Sequence, residues 1–219
     1  VRFGGAMVED RIVDKATFDD MTRPFVLASG KPAGEQGFEV GFGWRVAKDG
    51  DGHSMAFHNG IANGARASLV VWREEGTAAA VLSNAVWTSS IDSTAQMLAA
   101  PFRDIPAELV PTACPTRVDR FEGTMSDEPV SGSARFEKVD GICRGTLELA
   151  SSLQAYFDRG PQPTAESIRV IGLDPAGGLS RAGLVTPFGI YDLRATVGGT
   201  FRSEWSATRS LEIRLLGSD

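Results

Sequence analysis

From residue 38 onward the chain consists mostly of short segments in which apolar and polar residues alternate, each closed by Gly, Asn, Asp or Pro. A period of two is typical of β-strands joined by tight turns. The order along the chain is helices, a meander of strands, a helix, a linker and more strands. Strand and helix do not alternate, which argues against a doubly wound nucleotide-binding fold and predicts an α+β half followed by an all-β half.

The first half predicts helices and then an antiparallel sheet. Asp14 is placed to cap a helix over KATFDDM, in which Phe18 and Met21 share one face. The strands are predicted within FEVGFGWRVAKDGDG, HSMAFHNG, ARASLVVWREEG and TAAAVLSNA. Asn63-Gly64 suits a two-residue hairpin turn, because both residues tolerate positive φ.

An amphipathic helix is predicted after the meander, in TSSIDSTAQMLAAPF. Ser89 or Ser90 is placed to cap it, and its apolar side chains follow a helical spacing suited to covering one face of the sheet. This stripe consists of Ile91, Ala95, Leu98 and Phe102.

A stretch rich in proline and without periodicity, RDIPAELVPTACP, predicts a linker at 104–116 between a domain at 1–103 and an all-β domain at 117–219. The second domain is predicted to be a barrel or a sandwich of about seven or eight short strands. The segments assigned to strands are RFEGTM, SGSARFEKV, ICRGTLELA, SIRVIGLD, FGIYDLRATV, TFRSEW and SLEIRLLG.

The composition of the chain bears on two classes of partner, nucleic acids and membranes. A net charge of -6 over 219 residues argues against binding to nucleic acid, which requires a concentrated basic surface. Since no apolar run approaches the roughly 18 residues of a membrane helix, we expect no membrane span. The chain starts at Val1 without a signal-peptide pattern, which suggests a piece of a longer protein.

Two cysteines, Cys114 and Cys143, leave two alternatives: a disulfide or two buried thiols. A bridge would close a loop of about 30 residues and stabilise the fold by roughly 3–4 kcal/mol. It would favour an exported protein, whereas cysteine count alone does not separate periplasm from cytoplasm. The cysteines lack zinc-site spacing, and strand alternation places His53 and His58 on opposite faces, so we expect no metal and no cofactor.

Two further groups of residues are given structural roles. Three tryptophans are expected in the core: Trp44, Trp72 and Trp87. Two acidic pairs are expected on the solvated surface: Asp19-Asp20 and Glu74-Glu75.

The His-Asn-Gly triplet in FHNGIANGARASLVVW is by itself a common turn sequence. The segments around the triplet are more specific than the triplet itself. GFGWRV precedes it, and ASLVVWREEGTAAAVLSNA and a helix follow it. This order resembles the C-terminal part of the catalytic domain in the serine β-lactamase and penicillin-binding-protein superfamily, in its class C and esterase-like branch. The opening RFGGAMVEDRIVDKATFDDMTRP is similar to the helical segment that precedes these strands in that family. The resemblance covers about residues 1 to 103.

The resemblance implies roles for four consecutive site residues. His58 would take the place of the usual Lys of the family's third motif and help to polarise the substrate. Asn59 would replace the usual Thr or Ser and contact the substrate through its amide, while Gly60 would let the backbone approach closely. The backbone amide of Ile61 would provide one arm of an oxyanion hole.

The family's nucleophile motif Ser-x-x-Lys is not found in this sequence, and neither tyrosine matches the second motif. The resemblance therefore implies the C-terminal portion of a serine hydrolase whose nucleophile lies outside this chain. The intact protein would cleave an amide or ester bond in a small molecule or peptide through an acyl-serine intermediate. This portion alone is expected to be inactive, and an N-terminal fragment of the same protein is an expected partner. The alternative is a non-catalytic binding or scaffold module derived from the same fold.

Overall fold

The computed structural model describes residues 2–35, 37–103, 109–150, 166–206 and 209–217. The chain forms two compact units. Unit 1 comprises residues 1–86 and 94–107, and unit 2 comprises residues 87–93 and 108–219. Residues 87–93 thus belong to unit 2, although the residues on either side of them in the sequence belong to unit 1.

Unit 1 contains a six-stranded antiparallel sheet in which the strands follow one another in sequence order. The strands are β1 (Gly34–Glu35), β2 (Phe38–Val40), β3 (Arg45–Lys48), β4 (Ser54–Ala62), β5 (Ala65–Trp72) and β6 (Thr77–Ser83). The helices are α1 (Arg2–Val8), α2 (Lys15–Thr22) and α3 (Ile91–Ala99). Two short 3-10 turns occur at Arg73–Glu75 and Ala100–Phe102.

Helix α2 forms where the capping pattern predicted it. The Asp14 carboxylate accepts a hydrogen bond from the Thr17 amide at 2.7 Å. This bond holds the pKa of Asp14 below its usual value, because it favours the charged carboxylate. Phe18 faces inward from the helix and contacts the Trp44 ring, with 5.9 Å between ring centroids.

The hairpins of the sheet were predicted with one error. The segment FEVGFGWRVAKDGDG was assigned to a single strand, but it folds back on itself as β2 and β3, paired through Val40 and Arg45. Gly43, at a φ of 76°, allows this reversal, since that conformation strains other residues. The Asn63-Gly64 turn between β4 and β5 is confirmed, with Gly64 at a φ of 83°.

The sheet of unit 1 has an apolar core on each face. One core is built from α3 and one side of the central strands: Met55, Phe57, Val70, Trp72, Ala95 and Ala99. The other is built from α1, α2 and the opposite side: Met7, Phe18, Trp44, Ala56 and Val71. Trp44 and Trp72 are buried as predicted, whereas Trp87 is 38% exposed and the prediction of a core position is wrong.

The predicted apolar stripe of α3 is half correct. Ile91 and Ala95 are buried, but Leu98 and Phe102 are 51% and 83% exposed. The helix ends at Ala99 and continues as a 3-10 turn, so the helical spacing no longer applies at Phe102. Two small residues four apart, Ala95 and Ala99, form the face that packs on the sheet.

Unit 2 contains a closed, eight-stranded antiparallel barrel, which confirms the barrel alternative and excludes the sandwich. Its strands are β7 (Val118–Met125), β8 (Glu128–Val139), β9 (Ile142–Leu149), β10 (Ser167–Gly172), β11 (Arg181–Thr186), β12 (Gly189–Ala195), β13 (Phe201–Ser206) and β14 (Arg209–Gly217). The last strand pairs with the first, for example at Leu211 and Met125, and closes the barrel. Strand β11 was not among the predicted segments.

The barrel core holds two stacked aromatic rings. Tyr191 and Trp205 lie 4.2 Å apart, and the Trp205 indole donates to the Ser203 hydroxyl at 3.0 Å. Segment 87–93 is attached at this side, because the Ser90 hydroxyl donates to the Tyr191 hydroxyl at 2.9 Å and the Ser89 amide donates to a backbone carbonyl. Burial raises the pKa of Tyr191, so the phenol stays protonated and provides a stable acceptor.

The two cysteines form a disulfide, which settles the alternatives that the sequence left open. Cys143 is fully buried in the barrel, and Cys114 belongs to the described part of the predicted linker. The remainder of that linker, residues 104–108, lies outside the described residues.

Candidate functional site

The four predicted site residues lie in the second half of strand β4. Met55 and Phe57 enter one core and Ala56 enters the other, so the strand alternates regularly. By the same alternation, His58 shares a face with Ala56, and Asn59 lies on the face of Phe57. His58 is exposed rather than packed in an interior, so its imidazole is available to a ligand.

This half of β4 extends beyond the strand that pairs with its other end. The ladder between β3 and β4 ends at the pair Arg45 and Phe57. The ladder between β4 and β5 continues to Ala62. Residues 58–62 therefore project past the end of β3 while β5 holds them on the opposite edge. Such an edge presents backbone donors and acceptors along which an extended ligand can align.

Asn59 is oriented by a neighbouring strand. Arg45 on β3 donates to the Asn59 side-chain oxygen at 2.8 Å. The Arg45 guanidinium lies over the Phe38 ring, 4.8 Å from its centroid, in a cation–π contact that restrains the arginine. The oxygen of the Asn59 amide therefore faces the Arg45 guanidinium, and its nitrogen is the donor end of the side chain.

Gly60 and Ile61 complete the segment. A Cβ atom at position 60 would meet only the Ala67 side chain, at an ordinary contact distance of 3.8 Å. The fold of unit 1 therefore does not require glycine at this position. The Ile61 side chain is 75% exposed and adds apolar surface beside the edge.

The second histidine belongs to a different arrangement. His53 precedes β4, and its Nδ1 lies 2.6 Å from the Glu75 carboxylate. That carboxylate also accepts two hydrogen bonds from Arg103, both at 2.6 Å. Arg103 donates to Asp49 at 2.7 Å and lies over the Trp72 ring, 4.1 Å from its centroid. We call these five residues the Arg103 cluster.

Burial and hydrogen bonding both act on the charges of the Arg103 cluster. The side chains of Arg103 and Asp49 are each only 2% exposed. Burial raises the pKa of Asp49, but hydrogen bonds from Arg103, the His53 amide and the Trp72 indole outweigh it, and the net shift is downward. Arg103 also lowers the pKa of Glu75. Both carboxylates are thus held in the charged form opposite a single cation.

The Arg103 cluster was not predicted from the sequence. Glu75 was assigned to the solvated surface, but its side chain is 19% exposed and it is paired, so that prediction is wrong. Its neighbour Glu74 is exposed as expected. The cluster joins the turn before β4, the turn after β5 and the residue that follows the 3-10 turn Ala100–Phe102. Because its donors and acceptors partner one another, it acts as an internal support of unit 1 rather than as a binding site.

Within the described ranges, no group of three or more His, Cys, Asp or Glu side chains is arranged to hold a metal ion. None of the helices in the described ranges is both long enough and apolar enough to cross a bilayer.

Comparison with known protein families gives no match, and neither does comparison with curated proteins. Among solved structures, the chain is similar to the octameric penicillin-binding protein homologue from Pyrococcus abyssi, with a TM-score of 0.34 and 14% identity over 94% of this chain. It is also similar to SurE in a crystal structure with D-Leu, with a TM-score of 0.34 and 13% identity over 92% of this chain. The chain spans 44% of the length of each of these proteins. At this level of similarity neither structure carries a functional argument.

Proposed function

We propose that unit 1 is the C-terminal part of the catalytic domain of a β-lactamase-related serine hydrolase and that unit 2 is its accessory barrel. The intact protein would cleave an amide or ester bond through an acyl-serine intermediate. The attacking serine and its base would come from residues outside this chain, because the sequence contains no Ser-x-x-Lys.

The observation that carries the proposal is the projecting half of β4. An exposed His58, a glycine that the fold does not need and an amide oriented by Arg45 occur in succession along one strand edge. A substrate lying along this edge would place its carbonyl oxygen near the Ile61 amide, which would donate to the oxyanion. Gly60 would keep that approach free of side-chain atoms, and the His58 imidazole would line the pocket.

A second feature supports the proposal that residues outside this chain complete the sheet of unit 1. Strand β6 is the last strand of unit 1, and its sequence TAAAVLS contains no charged residue. None of its residues is fully buried, and Leu82 is 85% exposed. Edge strands without charges or proline are normally covered, since they otherwise promote aggregation. We infer that another part of the same protein pairs with β6, either in one polypeptide or as a separate N-terminal fragment.

The test compares the protein encoded by the complete reading frame with the 219-residue chain. The complete protein should contain Ser-x-x-Lys and hydrolyse nitrocefin or a p-nitrophenyl ester, and the present chain should not. Replacing His58 with Ala in the complete protein should lower kcat/KM by about 100-fold or more without changing the melting temperature. Gly60→Val should act in the same direction.

Two results would contradict the proposal. The first is hydrolysis by the purified 219-residue chain alone. The second is a complete reading frame without Ser-x-x-Lys, which would favour the alternative of a non-catalytic binding or scaffold module. A matched control is Arg202→Met, which alters an exposed ion pair in the barrel and should leave kcat/KM unchanged.

A further inference from the structure

Residues 109–116 are attached to one end of the barrel; we call them the strap. The Leu179 amide donates to the Thr112 carbonyl at 2.8 Å. The Thr112 amide donates in turn to the Ser180 hydroxyl at 3.1 Å, and Ser180 is itself buried. The strap thus adds a short backbone connection beside the start of β11. Residues 109–116, which were predicted as part of a linker between domains, are thus held against the folded unit at this point.

The disulfide fixes the strap to the barrel covalently. Cys143 lies at the start of β9 and is fully buried in the barrel core. Cys114 is half-buried and packs against the same core from the strap. The bridge therefore runs from the surface into the interior at the end of the barrel formed by the β8–β9 turn and the β10–β11 loop.

A groove with a volume of about 520 Å³ lies between the strap and these loops, lined on one side by Thr112 and Cys114 and on the other by Lys138 and Gly177. Lys138 donates to the Ala176 carbonyl at 3.1 Å, which restrains the loop side of the groove independently of the strap. The strap side of the groove is held by the two hydrogen bonds of Thr112 and by the bridge.

We propose that the Cys114–Cys143 bridge is a redox-controlled latch, which holds the strap on the barrel when oxidised and releases it when reduced. The reductant would be a dithiol. One of its thiolates attacks the more accessible sulfur, that of Cys114, and the Cys143 sulfur leaves as a thiolate and takes up a proton. The second thiol of the reductant then displaces Cys114, which leaves as a thiol. The reductant becomes a disulfide, and the cysteine pair gains two electrons and two protons.

Release of the strap leaves the barrel closed, because the barrel ladder runs from β7 through β14 without the strap. The latch therefore changes the surface at one end of unit 2 rather than its fold. This inference does not depend on the proposed hydrolase activity.

The test is limited digestion with trypsin, with and without a dithiol, followed by mass spectrometry. Arg117 directly follows the strap, whereas Arg135 and Arg169 lie within barrel strands and report unfolding of the barrel. Reduction should increase cleavage after Arg117 at least tenfold, and in the reduced protein this cleavage should be at least tenfold faster than cleavage at the two strand sites, which still requires unfolding of the barrel. Cys114→Ser should show the fast rate without reductant, and it retains the buried Cys143.

Two outcomes would overturn the latch. If cleavage after Arg117 is equally fast in the oxidised and reduced protein, the bridge does not hold the strap. If Arg117, Arg135 and Arg169 are cleaved at the same rate in the reduced protein, cleavage at all three requires unfolding of the barrel, and the bridge maintains the whole barrel rather than the strap. Hydrogen exchange at the Leu179 amide gives an independent readout, since this amide donates to Thr112 and should exchange faster only when the strap is released.

Discussion

Replacing Arg103 with Met tests whether the Arg103 cluster supports unit 1. The substitution removes the guanidinium and keeps an unbranched side chain, so Asp49 and Glu75 lose their shared cation. Removing one partner of a buried ion pair costs about 3–5 kcal/mol. Asp49 still accepts from the Trp72 indole and from two backbone amides. We therefore expect a loss near the lower end of that range, about 3–4 kcal/mol in the unfolding free energy of unit 1.

The assay is hydrogen exchange in urea, which reports the two units separately. Amides of β5, including those of Val70 and Val71, report unit 1, and amides of β11 report unit 2. The matched control is Arg11→Met, which makes the same change at an exposed pair with Glu9 and should alter stability by less than about 1 kcal/mol.

Equal losses in the Arg103 and Arg11 variants would refute the reasoning, because burial would then add nothing to the value of the pair. A second comparison separates the missing cation from lost packing. The double variant Asp49→Asn with Arg103→Met leaves one buried charge fewer and should recover at least about 1 kcal/mol relative to Arg103→Met alone. If it recovers nothing, the unpaired charge of Asp49 is not the cause of the loss, which then comes from Glu75 or from the contact between Arg103 and the Trp72 ring.

Three further predictions concern pH, the disulfide and glycine positions. Folding lowers the pKa values of Asp49 and Glu75, so the unfolded chain binds more protons in acid than the folded chain does. Unit 1 should therefore lose stability as the pH falls below about 4. Urea titrations at a series of pH values should show a shallower loss in Arg103→Met than in the unchanged protein. Reducing the bridge, which spans 29 residues, should lower the unfolding free energy of unit 2 by about 3–4 kcal/mol in denaturant titrations. A Cβ atom at position 145 would overlap the buried Phe136 ring, so Gly145→Ala should destabilise the barrel by about 1–3 kcal/mol. Gly60→Ala meets no such overlap and should leave the melting temperature of unit 1 unchanged or raise it.

Local features of the fold were predictable because their causes are local. Asp14 caps α2 through a bond to a residue three positions on, and Asn63-Gly64 sets its turn through its own backbone preferences. Seven of the eight barrel strands overlap the segments predicted from alternation and turn residues. Strand β11 was missed, because its sequence RAGLVT places buried Ala182, Gly183 and Leu184 in succession and so lacks the alternation that marks the others.

The Arg103 cluster was missed because it depends on residues far apart in sequence. Arg103 meets Asp49 across 54 positions, and no periodic pattern links them. The stripe of α3 was extrapolated at helical spacing past the point where the helix ends, which placed Phe102 in the core and left Arg103 unnoticed. For the site, the sequence placed His58 and Asn59 together on one strand, whereas the contact between Asn59 and Arg45 required the register of β3.

The pairing of β7 with β14, which closes the barrel, also limits when the barrel can fold during synthesis. Residue 125 on β7 pairs with residue 211 on β14, near the end of the described chain. During synthesis, the first seven barrel strands can therefore form only an open sheet until β14 leaves the ribosome. The two edge strands of that sheet lack backbone hydrogen-bond partners. A stop codon or a ribosome stall within β14 would leave that sheet exposed. Truncated chains of this kind should depend on chaperones and be degraded, even when every other strand is intact.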